Sequence, residues 1–298
     1  MNTYDIAMLG HVSRDIMVYP GGREERLLGG AVVYSSAAAA RSGGRVLVVT
    51  KAAREDRPLL EPLERERVVL AVIDSPRTTS IRNVYLSEDR ERREVSLVAG
   101  AEPFALGELP RFDARILHLA GLFHGEIPPS LIPALAPRYP LAVDAQGWLR
   151  RVEGGRMVFR DLEGKAALLP LIGFFKADLA EAEILTGETD QERGTRALHA
   201  MGPASVMVTH GSGVMVVEGG RLYRAPFTSR NLSGRTGRGD TCFASYLVRR
   251  LSHDPQESTS YAAALTSIKM ETPGVFRGTV EDVLARMAAG TRPGAAAV

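Results

Sequence analysis

The run Gly234-Arg235-Thr236-Gly237-Arg238-Gly239-Asp240-Thr241 combines the two things a phosphoryl transfer needs: exposed backbone amides and an acid within one turn of them. Glycines one residue apart let the chain approach an anion with no side chain in the way. The residues that follow, Cys242 to Val248, read as a helix, whose free N–H groups and positive dipole end point at that anion. The amides of Gly237, Arg238 and Gly239 would hold the transferring charge while Asp240, on the first turn, accepts a hydroxyl proton. That division of labour suits an alcohol kinase. A helix N-terminus is also expected to lower the pKa of Asp240, keeping it ionised at neutral pH but weakly basic, so that proton transfer comes late. Since a glycine-rich turn before a helix also occurs as a plain tight turn, the run needs company.

That company must come from the elements around it. Tyr4 to Gly10 reads as a buried strand, followed by a short strand, Ile16 to Tyr19, and the turn Pro20-Gly21-Gly22 that leads to Gly29-Gly30. Ala31 to Ser42 is a small-residue helix suited to close packing on a sheet, and strands at Arg45–Thr50 and Val68–Ile73 flank a weak helix at Arg57–Arg67. Thr79–Ser87 and Arg93–Val98 form a projecting hairpin whose tip, Glu88 to Glu94, mixes charges of both signs. Strands follow at Ile116–Ala120, Leu141–Asp144 and Phe174–Ala177, separated by helical stretches that start near Pro128 and Leu162. Helices at Leu179–Leu185 and Gln191–Met201 precede a strand, Ser205–Thr209, and a hairpin, Val214–Glu218 with Arg221–Pro226. Three helices close the chain, Asp240–Leu251, Pro255–Met270 and Val280–Ala289, with a loose tail at 291–298.

The pattern predicts an α/β protein: one domain over residues 1–298, a three-layer α/β/α sandwich on a mostly parallel sheet, with a small β lid from about 12–30 and 75–100. Ligands of such sheets bind outside the carboxyl ends of the strands. Asp15 and the Gly29-Gly30 pair belong near that rim, where a carboxylate beside backbone amides can grip neighbouring hydroxyls of an uncharged polyol.

Composition narrows the alternatives. The net charge of +2 is spread along the chain, which argues against nucleic acid despite a pI near 8.8. No apolar run reaches membrane-spanning length and no export signal opens the chain, so a cytoplasmic location is expected. Cys242 is the single cysteine and reads as a small buried residue. The six histidines show no short metal-ligand spacing. Gly10 is not followed by a glycine-rich fingerprint, which removes a nicotinamide dehydrogenase.

Five segments, in order, carry a resemblance to the ribokinase-like (PfkB) carbohydrate kinases: Gly10 to Asp15, Gly29-Gly30, Lys176 to Glu181, Thr209-His210-Gly211, and Thr236 to Asp240. Among the branches of that family the chain most resembles bacterial myo-inositol kinases, through Ser75 to Ile81, Asp144-Ala145-Gln146-Gly147, Gly234 to Cys242, and Thr266 to Met270 with Pro273-Gly274. The resemblance implies an ATP- and Mg2+-dependent kinase of a polyol or sugar, myo-inositol first, with ribose or a nucleoside such as adenosine or inosine as alternatives. A catalytically silent ligand-binding sensor is the alternative of another class.

By the same resemblance Asp240 is the catalytic base, and Gly237, Arg238 and Gly239 form the anion hole. Thr209, Gly211, Ser212, Gly213, Lys176, Asp178 and Arg235 border the nucleotide, and Glu181 orders hydrated magnesium through water. Asp15, Gly29, Gly30, Tyr34, Arg82, Asn83 and Gln146 hold the substrate. Arg235 and Arg238 are departures, extra cations near the phosphates, as is Gly234 where the family's motif begins with Asp. Tyr34 stands where ribokinases place a sugar-binding Asn, and Asp178 replaces an Asn ahead of Glu181. A monomer or a homodimer is expected.

Overall fold

The computed structural model describes residues 3–86 and 93–290. The first strands in chain order are β1 (Tyr4–Leu9), β2 (Ser13–Val18), β3 (Glu24–Gly29), β4 (Val46–Ala52) and β5 (Val69–Asp74). They are followed by β6 (Thr79–Tyr85), β7 (Arg93–Ala99), β8 (Ala114–Leu119), β9 (Leu141–Asp144), β10 (Arg150–Glu153) and β11 (Arg156–Phe159). The last are β12 (Phe174–Asp178), β13 (Ser205–Thr209), β14 (Gly213–Glu218) and β15 (Arg221–Pro226).

Nine of these form the central sheet in the order β15-β14-β13-β12-β9-β8-β1-β4-β5, parallel from β13 to β5 and closed at the other edge by the antiparallel β14–β15 hairpin. Its strands are apolar on both faces, as a sheet covered on both sides requires. Ile6 and Met8 pack with Val46 and Val48 on one face, while Ala7 and Leu9 pack with Leu47 and Val49 on the other. The first face carries the helices Ala31–Arg41, Arg238–Arg250, Pro255–Met270 and Val280–Gly290. Leu179–Thr186, Gln191–Ala200 and the short helix Ile132–Leu135 cover the second. The run Ala37-Ala38-Ala39 is fully buried, so the first helix lies close against the sheet, as its small residues predict.

The lid is a second sheet, ordered β10-β11-β7-β6-β2-β3. It contains both expected segments and a third, the β10–β11 hairpin, which sequence reasoning missed. That hairpin turns at Gly154-Gly155, both at positive φ (56° and 79°), a two-glycine signal between short alternating runs. The weak helix expected at 57–67 is a 3₁₀ turn (Arg54–Leu60) running into a short helix (Glu61–Arg65), with Pro58 and Pro62 limiting both. The stretches near Pro128 and Leu162 are likewise reduced to short turns of helix. The charged tip from Glu88 to Arg92 and the tail at 291–298 lie outside the described residues.

Candidate active site

The Arg238–Arg250 helix begins on Gly237, which takes φ 76°, a left-handed conformation open to glycine. A Cβ there would stand 2.2 Å from Cδ1 of Tyr34, so the aromatic ring lies on the bare backbone of the turn. The Arg238 N–H donates to the Arg235 carbonyl at 3.2 Å, and the Thr241 N–H to the Gly237 carbonyl at 3.0 Å. Gly239 and Asp240 lie in the first turn, where amides lack an intrahelical acceptor and can serve an anion. Arg238 therefore differs from the expectation: its amide is committed within the turn, and it presents its side chain instead. Burial, then the neighbouring Arg235 guanidinium, holds the Arg238 pKa below the ordinary arginine value.

Asp240 does not have the lowered pKa expected of a helix N-terminus. Burial pushes it up to about 6, and the Asp144 carboxylate adds to the rise, against Lys176, Arg150 and Lys269. Desolvation outweighs the dipole because the acid sits among buried groups at the strand ends. Their register explains the gathering. Lys176 on β12 pairs with Asp144 on β9, so both side chains leave the sheet on the face beneath the Arg238–Arg250 helix. The Lys176 Nζ lies 3.1 Å and 3.0 Å from the two Asp144 carboxylate oxygens, and 3.9 Å from Glu181 Oε2. Burial alone would lower the Lys176 pKa, but Asp144, Glu181 and Asp240 more than compensate and hold it above the usual lysine value. A Cβ on residue 239 would meet Nζ at 2.9 Å, so glycine lets the ammonium lie against the first turn of the helix.

Glu181 and Asp178 form a capping box at the start of the Leu179–Thr186 helix, each carboxylate accepting the other's backbone N–H at 2.8 Å. Burial pushes the Glu181 pKa up to about 7, with Lys176 opposing. Among the described residues no group of three or more His, Cys, Asp or Glu side chains is placed to hold a metal directly. With Oε2 engaged on a backbone amide, Glu181 suits a hydrated ion held through water better than direct ligation.

Between lid and sheet lies a cavity of about 550 Å³, within the range of small-molecule sites. Asp15, Asn83, Gln146, Tyr34 and Asp240 line it, with Met17, Ile81, Val95, Leu122 and Met157 supplying apolar walls. Asp15 Oδ1 accepts the Ser13 hydroxyl at 2.7 Å. Its other oxygen would stand 2.3 Å from a Cβ on residue 29, which explains the first of the paired glycines. The second, Gly30, takes φ 106° and would clash with the His11 carbonyl at 2.5 Å if it carried a Cβ.

Not every expected residue reaches this cavity. Arg82 alternates away from it along β6, and its Nη2 donates to Glu24 Oε1 at 2.7 Å on the outer side of the lid. Gly29 only backs Asp15. Thr209 adjoins Asp178 in register at the carboxyl end of the sheet, and Gly211, Ser212 and Gly213 form the turn after it. All four lie outside the acceptor cavity. Sequence reasoning missed Asp144, Arg150 and Lys269. Arg150 comes from the unexpected lid hairpin, lines the cavity and donates to Gln146 Oε1 at 2.8 Å. Lys269 is a lysine in an otherwise small and apolar stretch of helix, a signal that was legible.

An acid beside helix-terminal amides, closed over by a β lid holding polar side chains, defines a small-molecule phosphotransferase of the ribokinase-like fold. The model of the pfkB family of carbohydrate kinases matches residues 5–281, and the chain belongs to that family. Among solved structures it is similar to a pyrophosphate-dependent kinase of the ribokinase family complexed with a pyrophosphate analogue and myo-inositol. That protein is 38% identical, with 94% of this chain and 99% of the other covered and a TM-score of 0.86. It is also similar to a pyrophosphate-dependent myo-inositol-1 kinase converted into a myo-inositol-3 kinase by Asn-to-Leu and Ser-to-Leu substitutions. There the identity is 37%, with 96% and 99% covered and a TM-score of 0.86. Arabidopsis thaliana ribokinase, complexed with ribose and ATP, shares the fold at 20% identity, with 96% and 99% covered and a TM-score of 0.78. No curated protein sequence matches. The protein is a phosphotransferase that acts on a hydroxyl of a sugar or polyol, and no helix among the described residues is long and apolar enough to cross a membrane.

Proposed function

We propose that the protein transfers a phosphoryl group from inorganic pyrophosphate to a hydroxyl of myo-inositol. The observation that carries this reading is the 37–39% identity, over nearly the whole chain, to pyrophosphate-dependent kinases, two of which are associated with myo-inositol. The sequence suggested ATP. One feature of the site supports an inorganic polyanion as donor: Arg235 lies near enough to Arg238 to lower its pKa, and holding two guanidinium groups together costs energy that a bound polyanion offsets.

In this mechanism Asp15, Asn83 and Gln146 position the neutral ring against the apolar walls, and Tyr34 closes the side next to Gly237. The chosen hydroxyl oxygen attacks the near phosphorus, its proton passes to Asp240, and the P–O bond to the leaving phosphate breaks. The amides of Gly239 and Asp240 stabilise the charge in flight, and Arg235 and Arg238 hold the donor. A base with a pKa near 6 is matched to this task at neutral pH. Magnesium, when bound, would neutralise donor phosphate charge, with Glu181 holding it through water. Asn83, buried on the lid and lining the cavity, is the residue to which we assign the choice of hydroxyl. If ATP is the donor, Thr209, Gly211, Ser212 and Gly213 border its base.

Phosphorus NMR of the purified protein with myo-inositol and either pyrophosphate or ATP tests the proposal. Inositol-dependent consumption of pyrophosphate is expected. Turnover with ATP alone would overturn the donor, and turnover with another polyol or a nucleoside in preference to myo-inositol would overturn the acceptor.

A further inference from the structure

We propose that Lys269 is a positioning residue: its ammonium is a built-in cation that holds the anion-hole turn in its working shape, in place of a dissociable monovalent ion. The inference rests on the phosphoryl-transfer reading above. Lys269 sits in the last turn of the Pro255–Met270 helix and is 1% exposed. Its Nζ donates to the Gly234 carbonyl at 2.5 Å and to the Thr236 carbonyl, the two carbonyls that flank Arg235. The face of Tyr34 lies on another side, 5.1 Å away.

The surroundings show why a cation is needed there. The turn is laid on the C-terminal end of a helix, where unpaired carbonyls and the dipole make the potential negative. The Gly234 N–H donates to the Met270 carbonyl at 2.8 Å, and the Ser233 hydroxyl to the Glu271 carbonyl at 2.9 Å. A Cβ on residue 234 would stand 1.9 Å from the Thr272 carbonyl oxygen. Glycine therefore replaces the acidic residue of the usual motif in a place with no room for a side chain. Two more carbonyls turned towards this end would repel it and each other without a positive charge between them. Burial lowers the Lys269 pKa to about 8, partly offset by Asp240, so the ammonium persists at neutral pH.

The consequence reaches the reacting centre through peptide geometry. In a trans peptide the C=O and the following N–H point in opposite directions. With the Gly234 and Thr236 carbonyls bound to Nζ, the N–H groups of Arg235 and Gly237 are turned away from it. Gly237 is the residue that opens the helix carrying Asp240. One ammonium thus fixes two amides and the entry of the catalytic helix, without its own side chain lining the acceptor cavity.

The test uses Lys269→Ala and Lys269→Met, with pyrophosphate binding by calorimetry and turnover with pyrophosphate and myo-inositol. Lys269→Ala is expected to lose about 10²-fold in kcat, the scale of removing an oxyanion-hole donor, with little change in the KM for myo-inositol. Pyrophosphate binding should weaken in parallel. Ammonium or potassium chloride should restore both in Lys269→Ala relative to choline chloride at equal ionic strength. It should not do so in Lys269→Met, whose side chain fills the space. The wild-type protein should bind and turn over equally well in all three salts.

Near-normal kcat in Lys269→Ala, or no cation rescue of a folded variant, would overturn the inference. So would activation of the wild type by potassium, which needs no variant to fold. Calorimetry keeps the two readings separate: a wild type that binds pyrophosphate independently of potassium but turns over no polyol supports the cation and sinks the kinase.

Discussion

Asp240→Asn should cut turnover steeply and stabilise the fold at once. The Asp240 pKa rises from 3.8 to about 6. At about 1.36 kcal/mol per unit, keeping the carboxylate charged inside the fold costs on the order of 3 kcal/mol. Because the residue keeps some contact with the open cavity, this is an upper bound. The sign follows from the direction of the shift. An acid whose folded pKa is raised contributes stability below its unfolded pKa and loses it as pH rises through the folded value. At pH 7 the wild type therefore carries the full cost and the asparagine variant carries none. The variant should melt roughly 5 °C higher at pH 7, with the gap about half as large at pH 5 and closing towards pH 4 as the wild type takes up its proton. Activity should fall by about 10² to 10⁴. In the wild type, kcat/KM should drop below pH 6, with roughly one-tenth of the base ionised at pH 5. Scanning fluorimetry and a pH–rate profile supply both readings. A profile flat from pH 5 to 7, with no rise in Tm for the variant, would mean that the helix terminus prevails over burial and would refute the argument.

Two further substitutions probe the surroundings. Lys176→Met leaves Asp144 and Glu181 buried without their cation, and should cost about 3 to 5 kcal/mol in a denaturant titration. In whatever folded protein remains, the acid limb of the rate profile should move to higher pH, because Lys176 is a cation that favours ionised Asp240. Arg82→Ala should behave oppositely: its pair with Glu24 is exposed at the lid surface, so stability should change by less than about 1 kcal/mol, and steady-state kinetics should show the wild-type KM for the acceptor.

Most of the fold was legible because its signals are local. Alternating apolar strands, the small-residue run Ala37-Ala38-Ala39 and glycines at strand ends each speak for themselves within a few residues. The β10–β11 hairpin was not read because its strands are four residues each and half-exposed, and they are held by pairing with β7 rather than by their own pattern. Missing it meant missing Arg150, which reaches the cavity only because that hairpin joins the lid. Arg82 shows the reverse error. Lying one position before Asn83, it shares the same sequence neighbourhood, but the period-two alternation of a strand sends neighbours to opposite faces.

The acid's environment was hidden for a deeper reason. A motif shows Asp240 at a helix start, and from that alone a lowered pKa follows. The opposite outcome depends on Asp144 and Lys176, which are remote in sequence and meet only through the parallel register of β9 and β12. A net charge of +2 gives no hint that Lys176 is buried with Asp144 and Glu181 at the strand ends, or that Lys269 is buried at a helix end beside them. Such a cluster is costly to fold, since every member must be desolvated and each needs the others. Its members do divide the labour, however. Lys176 neutralises carboxylates under the first turn, Lys269 neutralises carbonyls under the loop before it, and Arg235 and Arg238 stand at the entry of the same helix. The inner cations are engaged by the protein's own acceptors, and the proposed donor site adds the two arginines of the turn. This division is why those arginines, which depart from the family motif, are where donor choice should be sought.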